Sequence, residues 1–244
     1  DATTVKRRSF AANLNVGYPI TRHLKATATL GGTWNDFAAG DDAARAFVVP
    51  SDHFLTRLEG RLAWDLSGWN VVGKYSLNLR SKWDPWGYPG NPDWDPGKDR
   101  FRLFSASLTK TFDLPKFQRI DTGVSYAKAY NADRFSKIQF GFFGGTSLRG
   151  FSSGSLRAEE AVTAKVAYGL VAGKLFRLQA LYDHAFVWDA ASGYDGTSFG
   201  GAGISGQFSG PWSTLVQVEA GLPVVGRNRG QDGFVLYLVF LRSF

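Results

Sequence analysis

Most of the chain alternates apolar and polar residues strictly, the two-residue period of a strand with one oily and one wet face. Over residues 6–18, Phe10, Ala12, Leu14, Val16 and Tyr18 share one face, against Arg7, Ser9, Asn13 and Asn15. Leu24, Ala26, Ala28, Leu30 and Trp34 then oppose Lys25, Thr27, Thr29 and Thr33. Phe54, Leu58, Leu62, Trp64 and Leu66 oppose Arg57, Glu59, Arg61 and Asp65, and Ser67-Gly68 signals a tight turn. Trp69, Val71, Tyr75, Leu77 and Leu79 follow, against Asn70, Lys74, Ser76, Asn78, Arg80 and Lys82.

The pattern continues over 104–112, 119–126, 137–142, 162–170, 176–188, 202–208, 216–222 and 233–244. It predicts about twelve antiparallel strands, half of them roughly ten to fourteen residues long. Soluble sheets favour strands of about 5–6 residues, whereas a bilayer needs about 9–11. Residues 83–98 (WDPWGYPGNPDWDPGK) break the pattern with four prolines, which cannot donate to a ladder. Their three Trp and one Tyr suit either a membrane–water boundary or a Trp/Pro-packed surface loop. No linker divides the chain, so residues 1–244 are expected to form one domain.

Composition narrows the class. The 244 residues hold 29 Gly, no Cys and no Met, and 15% are aromatic. Without Cys there is no disulfide framework and no thiolate metal site. No run approaches the ~18 apolar residues of a membrane helix. The polar faces carry eleven basic and five acidic residues, a surplus that nearly accounts for the net charge of +7. That charge fits a basic lumen, and no nucleic-acid-binding motif competes with it.

Alternation alone does not say which face is outside. A soluble β-sandwich buries the apolar face; a membrane barrel exposes it to lipid. The last strand favours the membrane. Phe234, Leu236, Leu238, Phe240 and Phe244 alternate to the final residue, which resembles the C-terminal recognition signal of bacterial outer-membrane barrels. Its other face, Val235, Tyr237, Val239 and Leu241, is apolar too, so this strand either packs against something inside or forms an unusual seam.

The stretch Gly144-Gly145-Thr146-Ser147-Leu148-Arg149-Gly150-Phe151 sets an arginine among glycines between two amphipathic segments. It resembles the GG…(V/L)RG(F/Y) loop of the BamA-like outer-membrane assembly and translocation superfamily (the bacterial surface antigen family). Leu181-Tyr182-Asp183-His184-Ala185 resembles that family's F-x-D-x-G strand, and Gly210-Pro211 through Leu222-Pro223 its GP…A-x-P-L hairpin. The resemblance implies a transmembrane antiparallel β-barrel in the bacterial outer membrane; the family's usual sixteen strands and preceding POTRA domains are not found in this sequence, which is expected to be a short form without POTRA domains or a C-terminal portion of a longer barrel. It further implies an inward-folded loop whose Arg149 pairs with acidic groups on the following strands, Asp183 and Glu219. The function implied is insertion or translocation of proteins or lipids, not enzymatic catalysis, with a passive basic pore as the alternative. Implied partners are outer-membrane lipids and lipopolysaccharide and unfolded outer-membrane or secreted protein clients, not nucleic acid; a barrel this short leaves room for pairing with a second copy of the chain.

Other chemistry is set aside. His23, His53 and His184 stand alone, and neighbours Asp183 and His184 point to opposite faces of a strand. Asp41, Asp42, Asp52, Asp93 and Asp95 lack EF-hand spacing, and no metal or cofactor is expected. One tension stays open. With the Arg149 loop external, twelve strands put the 38–51 and 83–98 segments on the periplasmic side, whereas long loops sit outside. A missed strand is the expected repair.

Overall fold

The computed structural model describes residues 5–40, 46–91, 94–141, 146–152, 154–172, 175–210, 214–226 and 233–242. The strands are β1 (Val5–Pro19), β2 (Leu24–Ala39), β3 (His53–Leu66), β4 (Trp69–Arg80), β5 (Arg100–Leu114), β6 (Gln118–Tyr130), β7 (Ile138–Phe140), β8 (Leu156–Ala158), β9 (Glu160–Ala172), β10 (Phe176–Asp189), β11 (Tyr194–Gly210), β12 (Thr214–Val225) and β13 (Val235–Arg242). Eleven of them form one sheet in the order β1-β2-β3-β4-β5-β6-β9-β10-β11-β12-β13, and β7 and β8 form a separate two-stranded sheet. Among the described residues no helix is long and apolar enough to cross a membrane, which says nothing of crossing by strands.

The expected strand over 137–142 is therefore corrected. Ile138 and Phe140 do alternate, but β7 is three residues long and sits within the β6–β9 connection. Removing it from the sheet relieves the topological tension. The connections now alternate: short turns follow β1, β3, β5, β9 and β11, and longer segments follow β2, β4 and β6. In an antiparallel sheet alternate connections lie at opposite ends. The long 40–52, 81–99 and 131–159 segments thus share one end; the error was one strand too many, not one too few.

Contacts cluster into two compact units, taken here one at a time. The first comprises Asp1–Trp64, Val72–Ser105 and Ala129–Lys137; the second comprises Asp65–Val71, Ala106–Lys128 and Ile138–Phe244. In the first, Phe10 pairs with Trp34 and Trp34 with Phe54 along the apolar face. Leu58 is 55% exposed on that face, while Asn78 on the polar face is 3% exposed. In the second, Ile204 is 61% exposed and Asp183 only 1%. A soluble sandwich would reverse these values, since folding in water buries apolar area. The apolar face is the outer one and the polar face the inner one, as lipid solvation requires.

The inner face is not polar throughout. Ala185, Val187 and Phe199 point inward with Ala161 and pack against Phe140, Leu148, Phe151, Leu156 and Ala158 of the 131–159 connection. This small core holds the connection against β9–β11. Lys82 and Lys137, expected on polar strand faces, fall outside the strands. The Trp-rich segment resolves toward packing: Trp86 is buried against Phe135, with ring centroids 5.1 Å apart, and Trp83 lies 6.3 Å from Trp86.

Candidate functional site

Leu148, Arg149, Gly150 and Phe151 form a turn lying on the inner face of the second unit; Gly144 and Gly145 lie outside the described residues. Phe151 meets Phe199 edge-on at 5.9 Å, and Leu148 is buried beside it in the same cluster. Gly150 has φ of 79°, a left-handed conformation glycine adopts without steric cost. It also permits close approach, because a Cβ there would lie 2.2 Å from the Leu222 carbonyl carbon and the Pro223 nitrogen.

Three strand glycines make the floor. A Cβ on Gly201 would lie 1.7 Å from the Arg149 carbonyl oxygen, one on Gly221 3.1 Å from Arg149 Cβ, and one on Gly203 3.3 Å from Arg149 Cδ. Register explains the grouping. Asp183 pairs with Gly201, Gly201 with Pro223, Gly203 with Gly221 and Ser205 with Glu219. The period of two turns all of these inward, so β10, β11 and β12 present acid, bare backbone and acid in successive rows.

The structure brings the sequence-predicted Arg149, Asp183 and Glu219 together. Arg149 Nη1 donates to Asp183 Oδ1 at 2.6 Å and Oδ2 at 2.5 Å, and the Arg149 backbone N–H donates to Oδ2 at 3.2 Å. Arg149 Nε lies 3.0 Å from Glu219 Oε1, an ion contact in which the N–H does not aim at the oxygen. Side-chain exposure is 16% for Arg149 and 1% for Asp183, so water screens this pair little. Lys165 stands opposite Asp183 in register and donates from Nζ to Ser147 Oγ at 2.6 Å. Sequence reading placed Lys165 on a polar face without giving it a role.

A second inner cluster lies in the same unit. Asp121 accepts from Thr111 Oγ1 at 2.7 Å, Arg119 Nε at 2.8 Å, Gln179 Nε2 at 3.3 Å and Arg177 Nη2. A cavity of about 390 Å³ is lined by Arg119, Asp121, Lys165, Arg177 and Asp183 among others. Cations outnumber carboxylates on its wall, the same sign as the surplus on the polar strand faces.

The remaining candidates separate by place. Phe234, Leu236, Leu238 and Phe240 are exposed on the outer face, and Phe244 lies outside the described residues. Val235 and Tyr237 line the small space beside Arg149 and Glu219, so this half of the apolar inner face of β13 packs toward the loop. His184 contacts Tyr182 and Ser198 on the face opposite Asp183. Asp52 accepts from the Phe37 N–H at 2.8 Å and Asp95 from the Gly97 N–H at 2.8 Å, both ordinary loop contacts. Among the described residues no group of three His, Cys, Asp or Glu could hold a metal ion.

No protein-family model matches the chain, and no curated protein matches it by sequence. Solved structures do match. The crystal structure of BamA from Haemophilus ducreyi lacking POTRA domains 1-3 aligns with TM-score 0.66 at 14% identity, covering 97% of this chain and 54% of that one. CdiB from Acinetobacter baumannii aligns with TM-score 0.62 at 15% identity, covering 97% of this chain and 42% of that one. The chain thus spans about half the length of the first and less of the second. With lipid-type inversion of its faces and a Leu-Arg-Gly-Phe loop seated on the inner one, the chain has the fold of the BamA-like transmembrane β-barrels.

Proposed function

We propose that the protein is a bacterial outer-membrane barrel that inserts or translocates proteins into or across that membrane, with Arg149 as a releasable latch. The observation that carries this reading is the fit of the Arg149 turn to its glycine floor, with a part-buried arginine on two buried carboxylates. A loop that only needed to be soluble gains nothing from such a seat. A loop that must hold the lumen shut and yet leave gains much. Charge-assisted bonds hold it firmly, and they depend on a few atoms that a client could displace. The likeness to BamA and CdiB supports the class of client, unfolded outer-membrane or secreted polypeptide. The outer aromatic and aliphatic face supports lipid as its surroundings. The protein acts mechanically, not as an enzyme.

The second reading, a passive basic pore, rests on the cation-rich cavity around Asp121. Planar-bilayer conductance separates the two. The latched barrel passes little steady current, and Arg149→Ala opens it to larger, anion-preferring events. A large, steady, anion-selective current from the wild type would overturn the latch and favour the pore.

A further inference from the structure

The 131–159 connection is also fastened near its start, by residues that sequence reading did not single out as a pair. Tyr130 ends β6, and Asn131 turns the chain sharply with φ of 56°. Its Nδ2 donates to the carbonyls of Gly97 at 2.6 Å and Arg100 at 2.8 Å, which binds the turn to the β4–β5 connection. Two residues later Asp133 enters the inner face of the first unit. Its Oδ1 accepts from Arg80 Nη2 at 2.8 Å, and its carbonyl accepts the Ser136 and Lys137 N–H groups at 2.9 and 3.1 Å.

Arg80 is held through both terminal nitrogens. Nη2 also donates to Ser136 Oγ at 2.5 Å, and Nη1 donates to the Lys98 carbonyl. Its guanidinium carbon lies 4.0 Å from the Trp83 ring centroid and 4.8 Å from that of Phe101. A guanidinium between two rings gains cation–π attraction that a lysine fills less well. Side-chain exposure is 3% for Arg80 and 0% for Asp133, against 16% for Arg149.

We propose that Arg80 and Asp133 are positioning residues, a permanent pin that keeps the connection on the inner face while the Arg149 latch opens and recloses. The proposal rests on the latch reading above. The two fastenings have opposite polarity: the wall supplies the base at Arg80 and the acid at Asp183. They also differ in what opening costs. Releasing Arg149 leaves Asp183 facing Lys165, whereas releasing Asp133 strands the Arg80 guanidinium between the Trp83 and Phe101 rings. One is built to yield and the other to stay. The pin acts on direction more than on length, because with Asn131 still fastened freeing it adds only residues 132–136 to the loose segment.

The native chain has no cysteine, so one introduced thiol is a clean reporter. Thr146→Cys places it in the loop at a position 8% exposed. In the full chain in lipid vesicles, labelling by a polyethylene-glycol maleimide reads the fraction of time the loop is open. Arg149→Ala is expected to raise the rate about 10-fold or more, and Asp133→Asn alone about 3-fold. The two together are expected to exceed the product of their separate effects, because a loop without pin or latch does not return. Arg80→Lys should resemble Asp133→Asn. Heat-modifiable migration reports wall folding separately, and a residue that merely stabilised the wall would move that and leave labelling alone. If Asp133→Asn abolishes folding, Ser136→Ala, which removes one bond to Arg80, decides: unchanged labelling overturns the pin. Wild-type labelling in Asp133→Asn, with Arg149→Ala still raised, overturns the pin and leaves the latch. No effect of Arg149→Ala overturns the latch, and the pin with it.

Discussion

Gly201→Ala removes the seat of the latch without touching a charge. The added methyl begins 1.7 Å from the Arg149 carbonyl oxygen, whereas ordinary contact starts at 3.4 Å, so the turn must retreat by about 1.7 Å. Both Nη1 contacts to Asp183, at 2.5 and 2.6 Å, then stretch past 4 Å, beyond hydrogen-bond reach. Stranding one partner of a buried ion pair costs about 3–5 kcal/mol. Lys165 opposite Asp183 compensates in part, which places the loss near 3 kcal/mol, roughly a hundredfold shift toward the open loop. Gly206→Ala is the control: it lies on the same strand, and a Cβ there meets nothing within 4 Å. Maleimide labelling at Thr146→Cys and bilayer conductance read the result. If Gly201→Ala matches Gly206→Ala in both, the glycine floor does not seat the latch and the reasoning fails.

Two further outcomes follow from the same geometry. Adding Lys165→Gln to Arg149→Ala removes the second cation facing Asp183, so the double loss in stability should exceed the sum of the singles by about 1 kcal/mol or more; strict additivity in urea unfolding would dismiss the compensating role. Leu58→Arg puts a charge at mid-strand on the outer face of β3, with an expected cost of about 2–4 kcal/mol, and an unchanged unfolding midpoint in lipid vesicles would contradict the assignment of faces.

The strands were legible because lipid on one side and a wet interior on the other impose a period of two that nothing else in the chain imitates. The exception is instructive. Ile138 and Phe140 alternate for a different reason, since Phe140 is wholly buried in the small core beneath the loop rather than facing lipid. Their alternation runs over only the six residues 137–142, short of the ~9–11 that cross a bilayer, which was the available warning. Arg149, Asp183 and Glu219 were legible through a motif and through strand parity. The floor was half legible, since Gly201 and Gly203 alternate on the face of Ser205 and Gln207. Asp133 was not legible at all. It lies in an irregular segment with no periodicity, and its partner Arg80 precedes it by 53 residues. Only the three-dimensional return of the chain joins them.

The length of the wall strands bears on where the pin stands. β1, β2 and β5 have 15, 16 and 15 residues, about five more than a tilted strand needs to cross a bilayer. The surplus is at the end with the long connections. There the outer face carries Lys6 and Arg8 before Phe10, Asp36 after Trp34, and Arg100 and Arg102 before Phe104. At roughly 3.3 Å per residue and a tilt near 40°, this end rises on the order of 10 Å above the oily band. Arg80, beside Phe101 and the Lys98 carbonyl, belongs to that collar. Its apolar neighbours are the rings of Trp83 and Phe101, not acyl chains. Exchanging lipid for detergent rebuilds the solvent of the outer face and leaves this contact in the same medium as before.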